Sequence, residues 1–124
     1  MPLEHEDLSE KIIGAAIKVH TSLGPGFIES IYENALVIEL QARGLTVAQQ
    51  HEVIVRYDGT EVGRHVLDLY VENTFVVELK AIKNIEDIHF AVARSYLRAA
   101  NVEHGLILNF SRTKVEVKRV IASR

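Results

Sequence analysis

The chain has 124 residues, of which 48% are apolar and 25% charged, with a formal net charge of −3 and no cysteine. That length suits one domain, residues 1–124, with its own core. The absence of cysteine excludes disulfide frameworks and thiolate metal sites, and the acidic balance argues against a strongly basic nucleic-acid-coating protein. No apolar run reaches the length of a membrane span, and the acidic start Met1-Pro2-Leu3-Glu4 is unlike a signal peptide, so a soluble cytoplasmic protein is expected. The charge is uneven. Residues 1–40 hold seven acids and two bases, whereas residues 112–124 hold five bases (Arg112, Lys114, Lys118, Arg119, Arg124) and the single acid Glu116. Such a basic segment meets phosphates, or simply keeps an edge strand solvated.

A first helix is predicted from about Leu8 to Thr21. Asp7 and Glu10 form a capping box, and Leu8, Ile12, Ala15, Ala16 and Val19 form one apolar stripe. Gly24-Pro25-Gly26 breaks the chain. A second helix carries Phe27, Ile31, Ala35, Leu36 and Ile38 and stops at Gly44 after Arg43. The period then changes to two. Val53, Val55 and Tyr57 alternate with polar residues, and Asp58-Gly59 signals a tight turn. Strands are expected over residues 61–71 and 74–82. Asn84 is the expected cap of a third helix that ends near Asn101, with Glu86 and Asp87 in its first turn. Strands over 105–110 and 114–121 close the chain. The order is α-α-β-β-β-α-β-β, which makes a mixed α/β (α+β) sheet flanked by helices.

Glu78-Leu79-Lys80 lies inside the apolar run from Thr74 to Ile82, and Asp68 lies in the run from Val66 to Val71. Charges in such strands are costly unless paired or bound to a metal. Strand alternation puts Glu78 and Lys80 on one face. Asp68 joins that face only if the hairpin loop has an odd length. A three-residue loop, 72–74, opposes 68 to 78, with Asn73 suited to the left-handed position, whereas a two-residue loop opposes 68 to 79. Asp68 and Glu78 are hard oxygen donors suited to Mg²⁺ or Mn²⁺, the main chain near Leu79 is a candidate further ligand, and Lys80 beside them suits phosphodiester hydrolysis. The competing reading is a cross-strand ion pair on a solvated sheet face. Glu29, Tyr32 and Glu33 share one face of the second helix. Placed against the sheet, Glu29 adds a third carboxylate to the metal site, or the acids merely suit a helix N-terminus.

The run from Leu23 to Glu33, containing Gly26-x-x-Glu29-x-x-Tyr32, resembles the signature of the GxxExxY family, placed in the PD-(D/E)XK nuclease superfamily. The resemblance extends through Val19-His20, Glu39-Leu40, Gly44-Leu45, Gln50, Tyr57-Asp58-Gly59, residues 67–72 and 77–81, His89, Tyr96-Leu97, residues 105–107, Asn109-Phe110 and Lys118-Arg119. It implies a restriction-endonuclease-like fold and a Mg²⁺-dependent nuclease that hydrolyses nucleic-acid phosphodiesters. Glu29, Asp68 and Glu78 are then the metal ligands and, with Lys80, the catalytic set. His20, Tyr32 and Tyr96 are accessory candidates, with a hydrogen-bonded structural role the competing reading for His20. Arg94, Arg98, Lys118 and Arg119 are candidate phosphate contacts, with a solvated helix face the alternative for the first two. Val66 and Val92 depart from the family pattern, which has arginine and glutamine there. They favour a second reading: a nuclease-fold binding or assembly module that works through a homo-oligomer or a protein partner.

Overall fold

The computed structural model describes residues 5–123. The elements are α1 (His5–Leu23), α2 (Glu29–Ala42), β1 (Val47–Tyr57), β2 (Thr60–Val71), β3 (Phe75–Lys80), α3 (Asp87–Ala100), β4 (His104–Asn109) and β5 (Glu116–Ile121). This is the order expected from the sequence. The five strands form one sheet in sequence order. β3 and β4 run parallel, joined by α3, and the other pairs are antiparallel. The sheet is therefore mixed.

Several element ends differ from the sequence expectation. α1 already runs from His5, so Asp7 lies within its first turn and does not cap it. α2 begins at Glu29, after Ile28. α3 is capped at Glu86, whose backbone N–H donates to His89 Nδ1 at 2.8 Å. Asn84 instead accepts a hydrogen bond from Arg112. Both hairpins match their turn signals. Tyr57 pairs with Thr60 across Asp58 and Gly59, which have φ of 53° and 80°. Val71 pairs with Phe75 across a three-residue loop in which Glu72 and Asn73 have φ of 53° and 50°. The Glu72 carboxylate accepts from Thr46 N at 2.6 Å, which anchors this non-glycine left-handed residue.

Two apolar layers sandwich the sheet. One face packs Leu69, Val71, Val77, Leu79, Leu106 and Leu108 against α1 and α2. The other packs Leu67, Val76, Ile107 and Val120 against Ala93 and Leu97 of α3. Gly105 marks the tightest contact, because a Cβ there would lie 2.9 Å from Val76 O and 3.0 Å from Leu97 Cδ2. Gly105→Ala is expected to destabilise the fold by about 1–3 kcal/mol through overpacking. Urea denaturation that gives an unchanged midpoint would contradict this packing.

Candidate metal centre at the divergence of β2 and β3

The β2–β3 register runs Val71↔Phe75, Tyr70↔Val76 and Leu69↔Val77 and then stops. The same offset brings Asp68 opposite Glu78, as the odd loop requires. Beyond this point side chains replace the ladder. Leu79 N donates to Asp68 Oδ2 at 2.9 Å, and Asp68 N lies 3.4 Å from Glu78 Oε1. The first is a charge-assisted bond of normal length, whereas the second is at the long limit.

The distortion spreads to β1. Gln49 pairs with Leu69 and His51 with Leu67, so Gln50 stands opposite Asp68, outside the ladder and with φ of 51°. Both strands change face here. Leu67 packs on the α3 side and Leu69 on the α1–α2 side, although residues two apart on a regular strand share a face. Val53 and Val47 of β1 divide in the same way. Asp68 thus occupies the point where β2 twists between layers and its backbone leaves both ladders.

Glu78 is 6% exposed. Burial, followed by the charge of Asp68, pushes its carboxyl up from 4.5 to about 9, with Lys80 opposing more weakly. Two adjacent carboxylates in a dry setting are short of positive charge, and their oxygens are the hard donors that a divalent cation takes. Asp68 and Glu78 thus supply two hard oxygen donors of the kind that Mg²⁺ or Mn²⁺ takes. Lys80 is half-buried. The Glu29 carboxyl at the α2 N-terminus is raised by partial burial, lowered by Lys80 and raised by Asp68 and Glu33, so it shares the field of this site. It does not touch the pair. Among the described residues no group of three Asp, Glu or His side chains stands close enough to hold a metal.

Tyr32 has a structural task. Its hydroxyl donates to Gly24 O at 2.5 Å and accepts from Phe27 N at 3.2 Å. This staples the Gly24–Phe27 loop that launches α2, and so aims Glu29. His20 is buried, bonded through Nε2 to Phe110 O at 3.0 Å and stacked with Tyr32 and Phe110. That is a packing role. Burial, and then the charges of Glu78 and Asp68, push the Tyr96 hydroxyl up, so this accessory candidate lies within the field of the carboxylates, its ring against that of His65.

Among the described residues no hydrogen bond or ion pair joins the expected phosphate contacts to the carboxylate pair. Arg119 pairs with Leu106, itself the partner of Val77, and donates to Ser9 Oγ at 3.0 Å. Lys118 is exposed on the edge strand β5 opposite Ile107, the partner of Glu78. Arg98 lines a surface recess with Ile54, Arg56 and His65, and Arg94 is half-buried on α3.

One group was not singled out as a site from sequence. Glu33 is 7% exposed and accepts from Gln49 Nε2 at 2.7 Å and from Gln50 Nε2 at 2.9 and 3.0 Å. It ties α2 to the irregular turn of β1 opposite Asp68. The signal lay in the Gln49-Gln50 pair one helix-and-loop away from a second acid on the face of Glu29.

Unfolding returns Glu78 to its ordinary value of 4.5, whereas in the metal-free fold it titrates at about 9. Between these values the folded chain holds one more proton than the unfolded chain. Stability from this residue is therefore full below the lower value and is lost as pH rises through the upper one. In chelator, the Tm of the wild type is expected to fall between pH 5 and pH 9 more steeply than that of Glu78→Gln. Parallel Tm profiles would show that Glu78 is not held protonated.

The family model of the PD-(D/E)XK nuclease superfamily matches residues 6–120. Among solved structures, one named "Crystal structure of SSO0001" is similar with a TM-score of 0.61 and 13% identity, over 97% of this chain. At that identity the likeness shows the fold alone, and the chain spans 60% of that protein's length. No curated protein matches. The mixed five-stranded sheet with α3 crossing between parallel β3 and β4 is the restriction-endonuclease-like arrangement. With a match that runs from Glu6 to Val120, the chain belongs to the PD-(D/E)XK nuclease superfamily.

Proposed function

We propose that the protein is a metal-dependent nuclease of the GxxExxY group that hydrolyses phosphodiester bonds of nucleic acid in the cytoplasm. The observation that carries this reading is the Asp68–Glu78 pair beside Lys80, set where β2 and β3 separate. The Tyr32 staple supports the group assignment, because it gives the Gly26-x-x-Glu29-x-x-Tyr32 spacing a physical purpose.

Asp68 and Glu78 would hold Mg²⁺ or Mn²⁺, and Glu29 would complete the set by approach of the α2 N-terminus or through a bridging water. The bound cation supplies charge neutralisation at the phosphoryl group and an acidified water. Asp68 keeps its orientation through Leu79 N. Lys80 holds an ammonium beside the carboxylates, where it orients the attacking water and offsets charge on the phosphate oxygens. Tyr96 lies within the electrostatic field of both carboxylates and can donate to a substrate oxygen.

Exposed Val66 and Val92 favour a second reading, in which the fold binds or assembles with a partner without cleaving. Purified protein is to be incubated with supercoiled and single-stranded DNA and with RNA, in Mg²⁺ or Mn²⁺. Cleavage is expected, with losses of about a hundredfold or more in Lys80→Ala and Glu78→Ala. Undiminished cleavage by both variants would reveal a contaminant. No cleavage alongside calorimetric metal binding would favour the second reading.

A further inference from the structure

α2 carries an apolar stripe on each of two sides. Tyr32, Leu36 and Leu40 face the core and are fully buried. Ile31, Ala35, Ile38 and Ala42 follow the spacing i, i+4, i+7, i+11 and form a second stripe. Ile38 is 69% exposed and Ile31 40%, Ala42 is exposed and Ala35 half-buried. Exposed Phe27 and Ile28 lead into it from the preceding loop.

Polar groups border this stripe without crossing it. α2 has three acids and no base. Glu29 lies about half a turn around the helix from Ile31 and Ile38. Glu33 is buried against Gln49 and Gln50. Glu39 is tied to Lys18 and to Arg43, at 3.0 Å each. On the other edge Asn34 Oδ1 accepts from Gln49 Nε2 at 2.7 Å. The outward face is thus left to Ser30, Ile31, Asn34, Ile38 and Gln41, all exposed and uncharged. A helix face that stays in water ordinarily carries charge. An apolar centre depleted of charge within a polar rim is the anatomy of a protein interface.

The stripe is complementary to itself. When two copies of α2 lie antiparallel about a two-fold axis, Ile31 stands opposite Ala42 and Ala35 opposite Ile38. Each large side chain then meets a small one. A parallel pair sets isoleucine against isoleucine and leaves gaps between alanines. With no charge on the stripe, the two-fold brings no like charges together. Lys18 and Arg43 beside it are already committed to Glu39, so an acidic peptide or an anionic lipid surface finds no free counter-charge there.

We propose that the outward face of α2 is the interface of a homodimer, in which two copies pack antiparallel through Ile31, Ala35, Ile38 and Ala42. Glu29 projects from the opposite side of the helix, so the pairing does not cover it. The dimer goes beyond the nuclease reading and holds whether or not the carboxylate pair cleaves.

Sedimentation velocity over a dilution series tests the pair. The wild type is expected at an apparent mass near two chains. Ile38→Glu is expected near one chain, with dimer affinity lowered by about a hundredfold or more, because it buries an unpaired charge against Ala35 of the other copy. Ile88→Glu on α3, at an isoleucine 63% exposed, is expected to remain dimeric. The register is read by cross-linking, since the chain has no cysteine of its own. Ile31→Cys mixed with Ala42→Cys is expected to give a disulfide-linked dimer under mild oxidation, and neither variant alone. This second readout keeps the Ile38 side chain and does not depend on the folding of Ile38→Glu. A wild type that stays monomeric, an Ile38→Glu that dimerises equally well, an equal loss in Ile88→Glu, or linkage of each cysteine variant only with itself overturns the interface. So does a monomer that co-sediments with phosphatidylcholine vesicles, which would put a lipid surface on the stripe. DNA and RNA cleavage in Mn²⁺ is scored separately. Cleavage by a monomer leaves the nuclease reading standing without the dimer, whereas a dimer without cleavage leaves the interface standing alone.

Discussion

Where β2 and β3 part, the backbone of Leu79 turns to the Asp68 carboxylate in place of a strand partner. Almost everything specific to this molecule depends on that substitution. A continued ladder would bury both carboxyl groups against a regular sheet, at a cost no salt bridge in the vicinity offsets. By separating, the strands let Asp68 accept a main-chain donor while Glu78 stands beside it. The change of face between Leu67 and Leu69, and the left-handed turn of Gln50 across from Asp68, are the same event seen on two strands.

The helices serve this opening in different ways. α2 grips it from one side through Glu33, whose carboxylate holds both Gln49 and Gln50 at the irregular turn of β1. Tyr32, one residue earlier, points the other way and fastens the glycine-proline loop. Adjacent residues on one helix thus secure the start of the helix, which carries Glu29, and the distorted strand. α3 contributes Tyr96 on the opposite layer. Asn109 performs the analogous service at the far side of Lys80, its amide bonding both polar groups of the Ile82 backbone once the strand has ended.

Much of this was legible before any coordinates. The parity of the Glu72-Asn73-Thr74 loop placed Asp68 opposite Glu78, because side-chain alternation and loop length are local geometry. The element order followed from periodicity and from the glycine breaks. Less was legible at the ends. Glu86, not Asn84, caps α3, since Asn84 is drawn to Arg112 from a distant turn. Arg119 read as a phosphate contact by its place in a basic tail, and in the fold its guanidinium donates to Ser9 of α1. Charge and alternation along a strand do not say which distant side chain a residue meets.

The amino-acid sequence by itself determined the strands, the hairpin parity and the Asp68, Glu78 and Lys80 constellation, since each rests on spacing within about a dozen residues. Only the tertiary structure decided that Glu29 shares the field of the pair without touching it, that Glu33 is clasped by two glutamines, and that Arg112 ties the turn after β4 to Lys83 and Asn84. The physical reason is the same in each case. These relations depend on which segments the parallel crossing of β3 and β4 and the packing of α2 bring together, and side-chain reach across such junctions leaves no period in the chain.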